Sequence, residues 1–475
     1  VSYDSLSPVQ QFNKIFLKEF GNLRIMGIDS TLIITNELGV EGDFSTSNLE
    51  VEGLLNIPSI FTVDRVNLTI LGDLSGGDSL TVGNGINPAA ITLNAHTAKR
   101  YATHSPNQDI FTFTNLTIKS NATLFTQSYD GNGSGNNAQG LQDYGVTLNV
   151  SNDLNIESNA SINTDARGYS RDTGNGTGCP ASYGGFSGGT PYGSVKVPTS
   201  LGSGGCTNSW FSNVGYGGAG GGAIKLSVTG NLVNNGTISS NGGVGSNAQN
   251  AQSSTGTGGS ILIYANSVNG NGLISANGGR LNGSLGSSGG RIAVYENSRG
   301  TFPINNKVNI QAFGGGNSSN GAPGTIYIDS DGQPSTDGDL WVNNNGVNSS
   351  VAAIPFNSQS PNVSYNKLYL KEQGHLKIYG IDSVLTLNDE NGIEGDNSVP
   401  RLEVDGLISL PSTFTINSIN LNITGDISGG SNMTVGNGTN PSILTLNAHT
   451  AKRYATHSPN QDIFTFTNLT IKSNA

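Results

Sequence analysis

GGAIKLSVTGNLVNNGTISSNGG, residues 221–243, is the stretch whose reading decides the fold. Its opening, Gly221-Gly222-Ala223-Ile224-Lys225-Leu226, returns as Gly-Gly-Ser-Ile-Leu-Ile at 258–263, Gly-Gly-Arg-Ile-Ala-Val at 289–294 and, loosely, Pro-Gly-Thr-Ile-Tyr-Ile at 323–328. The leading isoleucine moves from 224 to 261, 292 and 326, steps of 37, 31 and 34 residues. Its close, Asn235-Gly-Thr-Ile-Ser-Ser-Asn-Gly-Gly243, matches Asn271-Gly-Leu-Ile-Ser-Ala-Asn-Gly-Gly279. Each step then reads as about three short strands separated by tight turns, followed by a Gly/Ser-rich loop of variable length. That is the pattern of one coil of a parallel β-helix. Equivalent strands of successive coils pair at about 4.8 Å, aliphatic side chains stack inward, and turn asparagines stack amide on amide. One coil cannot bury its own inner face, so coils must pile up. The competing architecture is an antiparallel β-sandwich array with strands every 8–12 residues or so. The return of the motif at one-coil spacing with matched glycines favours the solenoid.

Outward from this stretch, residues 1–160 alternate apolar and polar in short runs: Leu23-Arg24-Ile25, Leu49-Glu50-Val51, Leu68-Thr69-Ile70, Leu80-Thr81-Val82, Leu116-Thr117-Ile118, Leu154-Asn155-Ile156. A period of two buries one face, and no amphipathic helical pattern of useful length competes with it. Between the runs sit Gly, Asn, Asp and Ser, which suit turns. Composition agrees. Gly is 68 of 475 residues, charged residues are 12% and hydrophobic residues 34%. Disorder usually pairs low hydrophobicity with high charge, and that pairing is missing. The net charge of −11 disfavours nucleic acid, which needs clustered Lys and Arg. No run approaches the roughly 20 apolar residues of a membrane span. No signal peptide is legible and the chain opens on Val1 rather than Met, which points to processing or to a segment of a longer chain.

A longer repeat overlies the coils. Thr92 to Ala122, TLNAHTAKRYATHSPNQDIFTFTNLTIKSNA, recurs letter for letter at Thr445 to Ala475, an offset of 445 − 92 = 353. The same offset aligns Lys14 with Lys367, Glu41-Gly42-Asp43 with Glu394-Gly395-Asp396 and Gly72-Asp73 with Gly425-Asp426, without a gap. The chain therefore divides into coils at 1–164, a Gly/Ser/Tyr-rich excursion at 165–216, further coils at 217–353, and the start of a second copy at 354–475 that matches 1–122. The excursion holds Trp210 and both cysteines. A Cys179–Cys206 bridge is expected there. It would close 206 − 179 = 27 sequence steps, worth about 3–4 kcal/mol by loop-closure entropy, in the oxidising setting outside cells.

Gly-Gly-Gly-Ala-Ile-Lys-Leu (220–226), the two Asn-Gly-x-Ile-Ser-x-Asn-Gly-Gly motifs and Ser-Gly-Gly-Arg-Ile-Ala-Val-Tyr (288–295) resemble those of repeat-built, right-handed β-helix surface proteins of bacteria and archaea. These include filamentous-haemagglutinin-like adhesins and very large extracellular proteins. The resemblance covers the middle third well and the flanks by general pattern. It implies an all-β parallel solenoid with Gly-rich loop excursions, displayed outside the cell. It carries no catalytic residue across.

Candidate sites are few. Asp130, Asn132 and Ser134 have the spacing that opens a calcium loop, but the expected twelfth-position Glu is Leu141, so the motif is not an EF-hand. A polar turn is the plainer reading. Asp329, Asp331, Asp337 and Asp339 put four carboxylates within eleven residues. Calcium is the cation they would take, against a solvated acidic turn. His96, Lys99, Arg100, Tyr101 and His104, repeated as His449, Lys452, Arg453, Tyr454 and His457, form a basic, aromatic cluster. It would dock on an acidic patch or an anionic sugar, unless its identity merely reports recent duplication. Sixteen Asn-x-Ser/Thr sequons, among them Asn67, Asn115, Asn121, Asn159, Asn235, Asn317, Asn362 and Asn468, are glycan acceptors wherever the source makes N-glycans. A chain this rich in Asn, Ser and Thr also produces sequons by chance. Parallel β-helices host polysaccharide lyases and hydrolases, but those need clustered carboxylates with Arg or Lys. Here Asp is scattered and no Ser-His-Asp or zinc spacing is legible. The expectation is a non-enzymatic filament, sheath or adhesin stalk. Its partners would be further copies joined end to end. The second reading is a carbohydrate-binding adhesin whose 165–216 loop touches the glycan.

Overall fold

The computed structural model describes residues 9–43, 47–95, 110–128, 145–210, 213–246, 253–280, 285–304, 308–316, 321–330, 337–347, 351–354, 362–398, 400–447 and 464–475. Among them there is no helix; the chain is all-β and its ladders are overwhelmingly parallel. Alternation explains the strands. Thr31–Ile34, Asn67–Ile70, Ser79–Val82 and Asn115–Ile118 each bury every second residue. One inward row is Leu23, Leu49, Leu68, Ile91, Leu124, Ile162, Ile238, Ile274 and Ile310, each opposite the next across a parallel pair. Eight such spacings carry that row about 38 Å along the axis.

The early coils are three-sided. A short sheet of four strands starts at Val9–Phe12, a nine-stranded sheet runs from Asn22–Ile25 to Ile310–Gln311, and a long sheet starts at Ile15–Leu17. The short sheet ends at Leu74–Ser75. Between residues 165 and 325 a different structure stands in its place. Here the Gly/Ser-rich loops do more than connect strands. The glycine runs form a packed bundle of extended segments lying outside the β-ladders. Gly218 donates to Ser254 O (3.1 Å) and Gly221 to Thr257 O (2.9 Å); Gly205 donates to Gly218 O (2.7 Å) and Gly202 to Gly221 O (2.8 Å); Thr255 donates to Leu285 O and Gly258 to Ser288 O. Bonds to one neighbour recur every third residue, the signature of a backbone with three residues per turn. A β-strand has two neighbours. Segment 217–222 bonds to four, at 164–169, 202–205, 243 and 254–260. Such a lattice admits no side chain: a Cβ would meet a carbonyl oxygen at 2.3 Å on Gly221, 1.9 Å on Gly259 and 2.1 Å on Gly290. The excursion at 165–216 is correspondingly packed rather than projecting. Ala181, Tyr183 and Leu201 are fully buried.

The first core takes in Phe302, Ile310 and Ala312 and closes on Ile326 and Ile328. The long sheet, however, continues. Thr325–Asp329 pairs antiparallel with Asp339–Asn343, matching Ile326 with Trp341, Tyr327 with Leu340 and Ile328 with Asp339. Ile326 and Ile328 face the first core, while Tyr327, Leu340 and Val342 face a second one. At this one pair the strand direction reverses and the buried side changes over. A coil that keeps its hand and its axial direction can reverse its strands only by moving its core across the sheet. The second solenoid is therefore turned half-way round the axis.

Its strands repeat the first at an offset of 353. Ile15–Leu17 reappears at Leu368–Lys371, Asn48–Val51 at Arg401–Val404, Ile60–Asp64 at Thr413–Asn417 and Asn115–Ile118 at Asn468–Ile471. Register is kept too: Val9 opposes Thr31 as Asn362 opposes Val384. Unusual backbone angles are copied even where the residue changed. Phe20 and Gln373 have φ of 62° and 65°, Arg65 and Ser418 of 54° and 55°.

The bundle makes a sharp prediction. Gly290→Ala drives a Cβ into backbone and should cost at least about 3 kcal/mol or abolish folding. Gly85→Ala, with open space around it but φ of +84°, should cost about 1–2 kcal/mol. Chemical denaturation of the two variants checks this; equal effects would contradict the lattice.

Candidate functional site

The residues with the most unusual environment gather where the two solenoids and the 165–216 segment meet. Successive coils align Ala223, Ser260, Arg291 and Thr325 in one row on the outward side of the long sheet. The 165–216 segment lies across this row. Arg291 is fully buried. Its Nε donates to Tyr192 O (3.0 Å), Nη1 to Thr325 Oγ1 (3.1 Å), and Nη2 to Ala353 O (3.1 Å) and Tyr183 O (3.4 Å). Among the described residues no carboxylate pairs with it. Burial pushes the guanidinium below its usual range, yet an arginine stays protonated in such a site. Its charge is met by four oxygens from three parts of the chain: the covering segment, the first solenoid and the strand Ala352–Ile354 of the second. Tyr183 Oη contacts Ser260 Oγ, Tyr192 Oη donates to Leu201 O (2.6 Å), and the two rings pack at 4.6 Å. Burial raises both phenols. Sequence reasoning passed over Arg291. The signal was there: a large cation where the aligned motifs have Ala, Ser and Thr.

From this corner a row of tyrosines crosses the junction. Tyr264, Tyr295, Tyr327 and Tyr365 follow one another at 4.8, 5.5 and 6.1 Å between ring centres. Lys196 of the covering segment lies over Tyr327 and Tyr365 and pairs with Asp337. On the other side of the sheet Trp341 stacks on Tyr369 at 3.7 Å.

The acidic quartet is only partly within the described residues, since Asp331 lies outside them. Asp337 is held by Lys196 and by Asn388 Nδ2 (3.1 Å), Asp339 accepts from Asn366 Nδ2 (2.9 Å), and Asp329 accepts from Tyr327 Oη (3.3 Å). Calcium takes about six to eight oxygens in one cradle. Here Asp329, Asp337 and Asp339 are each engaged by a protein donor, and among the described residues no three metal-ligating side chains converge. Asp130, Asn132 and Ser134 lie outside the described residues, as do His96, Lys99, Arg100, Tyr101, His104 and their copies. Cys179 and Cys206 are bonded, with Cα atoms 5.4 Å apart. Of the sequons, Asn121, Asn159, Asn235, Asn362 and Asn468 are exposed, and Asn67 and Asn115 half-buried in asparagine ladders. Asn317 lies outside the described residues. Among the described residues of the 165–216 segment Phe186 and Tyr216 are exposed aromatics, and Arg171 lies over the Tyr216 ring at 4.5 Å. No protein-family model, curated protein or solved structure matches the chain.

Two predictions follow from these environments. Arg291→Ala takes a donor from four buried acceptors, of which Tyr183 O keeps the Tyr192 N–H (3.2 Å), and should cost on the order of 3 kcal/mol or more. Arg291→Lys should recover little, because a point charge cannot serve acceptors spread around a planar fork. Urea denaturation measures both; a loss for Arg291→Ala within about 0.5 kcal/mol, as at an ordinary surface site, would refute the role. The acids should behave oppositely. Burial raises the Asp337 carboxyl, but Lys196, Ser364 and Asn388 outweigh it and hold it below its ordinary value. Its ionised form thus stabilises the fold, and that contribution is lost as pH falls through the depressed pKa. Burial lifts Asp339 above its ordinary value, so its ionised form opposes folding at neutral pH and the penalty vanishes in acid. Asp337→Asn should lower the melting temperature at pH 7, and Asp339→Asn should leave it unchanged or raise it. Thermal scans from pH 3 to 8 distinguish them.

Proposed function

We propose that the chain is a structural segment of an extracellular, repeat-built surface protein: a filament, a sheath or the stalk of an adhesin. The observation that carries this reading is the copy. Two stretches 353 residues apart adopt the same strands, register and unusual φ values, and one sheet runs through both. Sixteen strands follow one another in that sheet, about 70 Å at the β-helix spacing. Repetition of a unit this long adds length, and length is what a stalk or fibre supplies. The bonded cysteines accord with an oxidising compartment. The mechanism is mechanical. Parallel ladders share load along the axis, and the half-turn at each junction would wind successive units about a common sheet.

A second reading is favoured by one feature. Tyr216 and Arg171 form an exposed aromatic–cation pair on the covering segment, a surface on which a sugar ring can stack. In that reading the chain is a carbohydrate-binding adhesin.

A polypeptide of two or three complete 353-residue units should be rod-like in solution and lengthen by a constant increment per unit. Small-angle scattering and negative-stain images measure this. Units that fold back on one another, with no increase in maximum dimension, would contradict the structural reading.

A further inference from the structure

We infer that the corner of the first solenoid beside the junction is a binding groove for a linear, carboxylate-bearing glycan. The groove encloses about 680 Å³ and runs along the axis over successive coils. Four carboxamides line it: Asn241, Asn277, Gln311 and, from the second solenoid, Asn345. Their order follows from the fold. Asn241 and Asn277 each follow a strand of the nine-stranded sheet, one coil apart, and Gln311 belongs to the next coil. Asn241 Nδ2 donates to Ser275 Oγ (3.1 Å) and its Oδ1 accepts from Asn277 N (2.8 Å). Asn277 Nδ2 donates to Gln311 Oε1 (3.0 Å) and its Oδ1 accepts from Phe313 N (2.7 Å). These bonds fix each amide plane and use one N–H of each Nδ2, leaving a second. The groove thus presents oriented amide donors at a spacing of about 4.8 Å.

Amides that both donate and accept are the natural partners of hydroxyl groups. Val244 and Val308, each 60% exposed, give the groove apolar flanks against which the C–H faces of sugar rings can lie. The charge is the selective element. The chain carries 33 Asp and Glu against 22 Lys and Arg, yet among the described residues none that lines the groove is acidic, and Arg280 stands exposed at its rim. Among the described residues no carboxylate pairs with Arg280. An arginine fork takes a carboxylate with two parallel hydrogen bonds. Neither Tyr216 nor Arg171 lines the groove, although Tyr216 bonds Ser246, two residues beyond Val244 on its flank; the inference goes beyond both readings above, and the Arg171 variant below tells it apart from the second.

The test is isothermal titration of the whole chain with oligogalacturonate, and with the same oligosaccharide as its methyl ester. The inference expects saturable binding of the acid, weakened by salt, and much weaker binding of the ester. Arg280→Ala should lose about tenfold or more in affinity, the scale of one charged hydrogen bond. Gln311→Ala should also weaken binding, and Arg171→Ala should leave it unchanged. An unaltered circular dichroism spectrum for Arg280→Ala confirms that folding is intact. Absence of binding, equal binding of acid and ester, or loss through Arg171→Ala with Arg280→Ala unaffected would each overturn the inference; the last would place recognition on the covering segment.

Discussion

The structure depends on one constraint: the inner face of a coil is buried only by the coil beside it. The two copies show its size. Leu116 and Ile118 are fully buried where Leu154 and Ile156 stack beyond them. Their counterparts Leu469 and Ile471, in the same backbone without a following described strand, are 47% and 65% exposed. A buried leucine or isoleucine is worth about 1.5–3 kcal/mol, so one strand with two inward aliphatics gains several kcal/mol from its neighbour. This is why aliphatic kind is kept along each row while outward residues drift from Phe16 to Tyr369 or Leu38 to Asn391.

The glycine bundle solves a related problem differently. Where the short sheet stops, the coil must still close, and the 165–216 segment must lie flat on the long sheet. Backbone packed on backbone achieves both without a hydrophobic side, because its N–H groups find carbonyls or serine hydroxyls on neighbouring segments. The cover then turns the outward side of the first solenoid into the start of the second core. Leu262, Ala293 and Tyr327 point away from the first core and join the second with Val195 of the cover. Arg291 sits at that contact, bonded to all three participants. The half-turn is thus prepared by the cover before the strand direction reverses.

How much of this was legible follows from what each pattern encodes. Period-two alternation encodes the buried face, so Leu23, Val51, Leu80 and Ile118 were placed correctly from sequence. The recurring Gly-Gly-x-Ile motif encoded the coil, and the 353-residue offset encoded the copied backbone. Glycine runs read as loops, and they do lie outside the ladders; that they pack on one another is not legible, because the turn rules concern single glycines. A period of three in the hydrogen bonds leaves no trace in a stretch of Gly, Ser and Ala. The reversal at Asp339 was invisible as well, since Asp-Leu-Trp-Val-Asn alternates equally well in either direction and on either side. Candidate-site reasoning followed carboxylates to Asp337 and Asp339, which the protein uses in its own ion pair and hydrogen bonds. It missed Arg291 and the Asn241–Asn277–Gln311 row, whose meaning depends on which coils become neighbours.

The central claim is that the two copies share one continuous sheet but bury opposite sides of it. A cryo-electron microscopy map of the chain, at a resolution that shows strand direction and large side chains, tests it most directly. The account predicts Trp341 opposite Ile326 in an antiparallel pair, with Leu340 and Val342 facing away from the core that holds Ile326 and Ile328. A parallel continuation, with Leu340 and Val342 stacked over Ile326 and Ile328 in a single uninterrupted core, would contradict it.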